Sequence, residues 1–131
     1  MILNLTQHNA TPEQKAQLVV EPRMTKEEIR KLLTFEEIPS KEEIESRATK
    51  LAEIAASEAS MYAGDTDNEV WITRVLLGGA PFLMGALEKA VREMGFQPVY
   101  AFSKRESEEI PQPDGSVKKI QVFRHTGFVE V

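Results

Sequence analysis

The periodicity of apolar residues changes twice within Thr73 to Tyr100, TRVLLGGAPFLMGALEKAVREMGFQPVY. Val75, Leu76 and Leu77 are continuously apolar, as in a strand covered on both faces. Beyond Gly78-Gly79 the spacing turns helical, with Phe82, Leu83, Ala86, Leu87, Ala90, Val91 and Met94 on one stripe. Pro81 suits the first helical position and Gly95 the residue just past the last. Pro98 to Phe102 is β-prone again, so the stretch predicts a strand, a helix and a parallel strand with a right-handed crossover.

The flanking segments extend the pattern. Ile2 to Thr6 reads as a first strand ending in the polar cluster Thr6, Gln7, His8 and Asn9. Thr11-Pro12-Glu13-Gln14 carries a capping box and opens a short helix reaching Gln17 or Leu18. Thr25 with Glu28, and Ser40 with Glu43, predict two further capped helices. Ile29, Leu32 and Leu33 stripe the first, and Ile44, Ala48, Leu51 and Ala55 stripe the second, to about Ala59. Gly64 to Glu69 reads as a loop and Val70 to Leu77 as the strand it leads into. Ser103 to Ser107 reads as a loop at the carboxyl end of the Pro98–Phe102 strand. Pro113-Asp114-Gly115-Ser116 predicts the turn of a β-hairpin with arms Glu106–Ile110 and Val117–Arg124, and Gly127 to Val131 a short last strand. The expectation is one α/β domain over residues 1–131: a compact parallel sheet, flanking helices and a C-terminal antiparallel β-hairpin.

Composition narrows the function classes. A net charge of −5, spread evenly along the chain, argues against binding duplex nucleic acid, where neutralising phosphate supplies most of the affinity. No apolar run approaches the ~20 residues of a membrane span, and the start of the chain lacks the features of a signal peptide, so a cytoplasmic location is expected. There is no cysteine and there are two histidines, and no GxSxG, HExxH or DxDxDG motif occurs; neither a metal site nor a cofactor is expected. The glutamates fall mainly on exposed helix faces and read as solvated surface.

Three segments can meet at the carboxyl edge of the predicted parallel sheet. The first holds Asn4, Thr6, Gln7 and His8, with Thr11 beyond, His8 being a candidate acid/base or phosphate-contacting group; alternatively these side chains only satisfy turn and cap hydrogen bonds. The second is Gly78-Gly79-Ala80, where backbone amides can approach a ligand closely, or where the glycines merely turn the chain. The third is Ser103, Lys104, Arg105 and Ser107, able to neutralise and orient a phosphate, or else a solvated charged turn.

The opening pattern of a short strand running into Asn4, Thr6, His8, Thr11 and Gln14, with the Gly-Gly turn between Leu77 and Phe82, resembles the small CRISPR-associated accessory proteins of type III systems. These are compact Rossmann-like domains, several of them ring nucleases that remove cyclic oligoadenylate messengers in antiviral defence. The C-terminal FRHTGFVEV is also similar to small uncharacterised proteins of bacteria and phages. The first resemblance implies a nucleotide-type ligand, either cleaved without metal or only bound as a sponge or sensor would bind it. If cleavage occurs, His8 positions or moves a proton while Arg105, Lys104 and the Gly79–Ala80 amides stabilise phosphate. A ring ligand with internal symmetry implies a homodimer or higher homo-oligomer. An interaction module without a small ligand is the competing reading.

Overall fold

The alternation of side chains along a strand sorts the short strands onto two unequal faces. In the computed structural model, which describes residues 1–65 and 71–131, strands β1 (Ile2–Asn4), β2 (Val19–Val20), β3 (Arg74–Leu76), β4 (Gln97–Pro111) and β5 (Val117–Glu130) form one sheet in the order β2-β1-β3-β4-β5. The first four are parallel and β5 is antiparallel to β4, so the chain has the expected α/β architecture with a C-terminal hairpin.

Leu3, Leu5, Val75 and Leu77 point to one face, where α2 (Lys26–Leu33), α3 (Lys41–Asp65) and α4 (Pro81–Glu93) cover them. Ile29, Leu51, Leu83, Leu87 and Val91 complete that core. Ile2, Leu76 and Val99 point to the other face and meet Ala10, Val19 and Phe128 in a smaller cluster. That side holds α1 (Pro12–Ala16), a helix too short to bury any residue of its own.

Local rules explain most helix ends. The Thr11 box forms, Thr11 Oγ1 accepting from the Gln14 N–H at 3.2 Å and Gln14 Oε1 from the Thr11 N–H at 3.0 Å. At the end of α4, Gly95 takes φ +89°, its N–H donates to the Arg92 carbonyl at 2.9 Å, and the Phe96 N–H donates to the Val91 carbonyl at 3.0 Å, a Schellman closure. Ser40 accepts from the Glu43 N–H, while the Glu43 carboxylate turns to Arg47 at 2.8 Å. Arg47 in turn donates to the Lys31, Leu32 and Thr34 carbonyls, closing the end of α2 from a neighbouring helix.

Several expectations need correction. Thr25 stands at the start of α2 but makes no capping bond there, because its hydroxyl donates instead to Glu58 at 2.8 Å. Helix α3 runs past Ala59 through Gly64 to Asp65, since Tyr62 still packs on the core and no strong breaker precedes Gly64. Thr66 to Glu69, and Val70 at the start of the expected strand, lie outside the described residues. Val19 and Val20 pair with Ile2 and Leu3 as an edge strand, though only two residues long. On α4, Phe82 and Met94 are exposed, so the buried stripe is narrower than the periodicity suggests.

Ser103 to Ser107 do not form a loop. They continue β4 because β5 pairs with it from Val99 to Pro111, long after the contact with β3 has ended at Val99. The predicted arms and the short last strand thus belong to one continuous ribbon, with a bulge between Phe102 and Ser103. Asp114 accepts from the Ser116 N–H at 2.9 Å and from its hydroxyl at 2.6 Å at the tip.

Candidate functional site

The strand order reverses between β1 and β3. From β1 the chain steps through α1 to β2 on one side, and through α2 and α3 it crosses to β3 on the other. Loops leaving two such strands diverge, which leaves a crevice at the carboxyl edge of the sheet. Here the crevice has a volume of about 340 Å³. Thr6, Gln7, His8 and Asn9 line it from the β1 loop, Leu76 to Gly79 from the end of β3, Thr11 and Gln14 from α1, and Ala101 from β4.

Asn4, only 1% exposed, builds the β1 loop from below. Its amide donates to the His8 carbonyl at 2.7 Å and to the Glu21 carboxylate at 3.0 Å, and its carbonyl oxygen accepts from the Thr6 N–H at 3.0 Å and the Thr6 hydroxyl at 2.7 Å. Lys26 donates to the Thr6 and His8 carbonyls, both at 2.9 Å, and pairs with Glu21 at 3.2 Å. Glu21 also accepts from the Ala10 N–H at 2.6 Å. Burial alone would raise the Glu21 carboxyl. The Ala10 and Asn4 hydrogen bonds and the Lys26 ammonium outweigh it and hold the group below its ordinary value of 4.5. Arg30 adds a bond to the Gln7 carbonyl at 3.2 Å. Asn4 is thus spent on shaping the loop, while the side chains of Gln7 and His8 are left exposed.

The two glycines at the opposite wall are held to that residue type for different reasons, Gly78 by a close side-chain neighbour and Gly79 by its backbone. A β-carbon on Gly78 would stand 3.3 Å from the Thr6 methyl, tighter than ordinary packing, so the Thr6 side chain would have to give by a few tenths of an ångström. Gly79 takes φ +149°, which strains any other residue. The turn brings the start of α4 to the crevice, but Ala80 itself opens into a different recess, an apolar one shared with Phe35, Ile38 and Phe82.

The expected convergence of three segments is met by two. Lys104, Arg105 and Ser107 lie along the ribbon, opposite Arg124, Phe123 and Gln121, away from the crevice. Arg105 stacks on the Phe123 ring, 5.2 Å from its centroid. Ser103 alone comes near, lining a second groove of about 340 Å³ with Phe123, Arg124 and His125, and this groove shares Thr11 and Gln14 with the first. His125 pairs with the Gln17 side chain at 2.8 Å and packs on Phe128.

The family model of the Uncharacterized protein MJ1673 family matches residues 1–129. The chain belongs to that family. No curated protein and no solved structure matches it.

For this MJ1673-family chain the crevice combines neutral hydrogen-bonding side chains with the apolar Leu76, Leu77 and Ala101, and His8 is the one ionisable side chain among the described residues that line it. Among the described residues no group of three metal-binding side chains occurs. None of the described helices is long and apolar enough to cross a membrane.

One buried carboxylate that supports the β1 loop from a distance escapes a reading of helix faces. Glu58 is fully buried in α3, accepting from the Arg23 N–H at 2.8 Å, the Met24 N–H at 3.2 Å and the Thr25 hydroxyl. It fixes the turn into α2, from which Lys26 and Arg30 reach the β1 loop. The expectation of solvated glutamates fails here because Glu58 shares the buried side of α3 with Leu51, Ile54 and Ala55. Its helical spacing from Leu51 and Ala55 was the available signal.

Proposed function

We propose that the crevice between the β1 and β3 loops binds a small nucleotide-type ligand, of the cyclic oligonucleotide class used as a signal in defence, and holds it without cleaving it. The supporting observation is position: hydroxyl, amide and imidazole groups of the β1 loop face two glycines at the point where the strand order reverses. Binding is favoured over cleavage because the cations assigned to phosphate stabilisation, Lys104 and Arg105, lie on the ribbon outside the crevice, and no charged side chain stands with His8 among the described residues that line it. The same reading includes a cytoplasmic homo-oligomer, for which β5, the last strand in the sheet order, offers an edge.

Labelled cyclic oligoadenylates of three, four and six units test this directly. Saturable retention of intact ligand is expected, weakened at least tenfold by Gln7→Ala or His8→Ala with the melting temperature unchanged. Release of shorter fragments, abolished by His8→Ala, would establish the nuclease instead. No retention of any nucleotide would leave the interaction module.

A further inference from the structure

We infer that the ligand site continues across α1 onto the hairpin and takes a second nucleotide unit, whose base stacks on Phe123. The inference rests on the reading of the first crevice as a nucleotide site and adds to it a size and an orientation. Thr11 and Gln14 wall both grooves, so the two cavities share one boundary, and each is about 340 Å³. Either alone stands at the bottom of the range of roughly 300–1,000 Å³ that encloses a small ligand, and the pair falls within it.

The second groove has the chemistry of a base site. Phe123 is 66% exposed, and Arg105 lies against it on the same side of the ribbon. A ring presented in this way is a platform for any flat base, because every base has a π-face. Glu13 in the groove repels phosphate and accepts hydrogen bonds from base amino groups, while the hydroxyls of Thr11 and Ser103 serve either edge of a base. Among the described residues two guanidinium groups stand beside the groove and both are engaged, Arg124 with Glu106 at 2.8 Å and with Glu108, and Arg105 with the Phe123 ring. The groove is therefore suited to the uncharged end of a nucleotide. The sugar–phosphate link then crosses Thr11 and Gln14 toward the β1 loop.

Adenylyl-(3′→5′)-adenosine and AMP, titrated separately into the full chain by calorimetry, test the extension. The dinucleotide is expected to bind the wild-type protein at least tenfold more tightly than AMP. Phe123→Ala should weaken the dinucleotide by roughly 5- to 150-fold, the worth of one stacked base, and leave AMP unchanged. Phe123→Tyr should restore it, and Phe123→Leu, which keeps apolar bulk without a π-face, should restore little. Dinucleotide affinity equal to that of AMP, or unchanged in Phe123→Ala, would overturn the second site while the crevice reading stood on its binding of AMP or of a cyclic oligoadenylate. Failure of every nucleotide to bind the wild-type chain would remove the crevice reading, and the extension with it.

Discussion

Replacing Glu58 by alanine probes how the α2 entry is held. The carboxylate serves three donors, the Arg23 and Met24 N–H groups and the Thr25 hydroxyl, at 2.8, 3.2 and 2.8 Å. A stranded donor costs about 1–3 kcal/mol. Arg23 and Met24 are exposed residues whose amides can turn toward water, so about 1 kcal/mol for each of the three bonds is appropriate. Loss of the buried Cγ methylene adds about 0.8 kcal/mol. Relief of the carboxylate's own desolvation offsets part of this, leaving a net destabilisation of about 2–3 kcal/mol. At roughly 3 °C per kcal/mol for a chain of this size, the melting temperature should fall by about 6–9 °C. Glu58→Gln keeps the shape and can still accept from Met24 and Thr25, but turns its NH₂ toward the Arg23 N–H, and should lose about 1–2 kcal/mol. Urea unfolding followed by circular dichroism, with midpoints compared at constant m, measures each variant. Glu53→Ala, on the exposed side of the same helix, should stay within about 0.5 kcal/mol of wild type. A Glu58→Ala protein as stable as the Glu53→Ala control would refute the reasoning.

Asn4→Asp sets a carboxylate where an amide now donates to Glu21, and should cost about 2–3 kcal/mol at pH 7. Because the Glu21 carboxyl is depressed, its contribution to wild-type stability is present above its ordinary value of 4.5 and is lost as pH falls through the lower folded value. Two opposed carboxylates in the variant favour protonation instead, so the deficit should shrink between pH 7 and pH 3.5 in urea midpoints; a deficit independent of pH would exclude the clamp. Leu18 sits at φ +69° and is 60% exposed, a conformation costing a non-glycine residue about 1–2 kcal/mol. After allowing for glycine's greater freedom in the unfolded chain, Leu18→Gly should stabilise by about 0.5 kcal/mol, read as a melting point raised by roughly 2 °C, and a lowered one would show that the leucine contributes more by packing than its backbone costs.

What was legible in the sequence was whatever short-range chemistry decides. Thr11 with Gln14, Pro81 and Gly95 fixed helix ends within a few residues, and the change of period at Gly78-Gly79 gave the central unit. Features set by distant partners were not. Thr25 and Glu28 satisfy the capping pattern, yet the hydroxyl bonds Glu58 thirty-three residues away, an option the local pattern does not contain. Ser103 to Ser107 carry the charge density of a loop, and they remain strand because every one of them has a partner on β5. The candidate site divided in the same way. The β1 loop and the glycines meet because parallel strands put their carboxyl ends together, whereas Arg105 was displaced by the single misjudged loop that was to carry it.

The ribbon also bears on how such a chain can change over time. Beyond Ser103 and His125 its hydrogen bonds, among the described residues, run only between its own arms and tip. Removing one residue from each arm would exchange its two faces, while removing two from each would keep them. Outward of Arg105 and Phe123 its length can therefore change in paired steps of two without disturbing the sheet that anchors it, and the tip at Asp114–Gly115 is a natural place to graft a foreign segment.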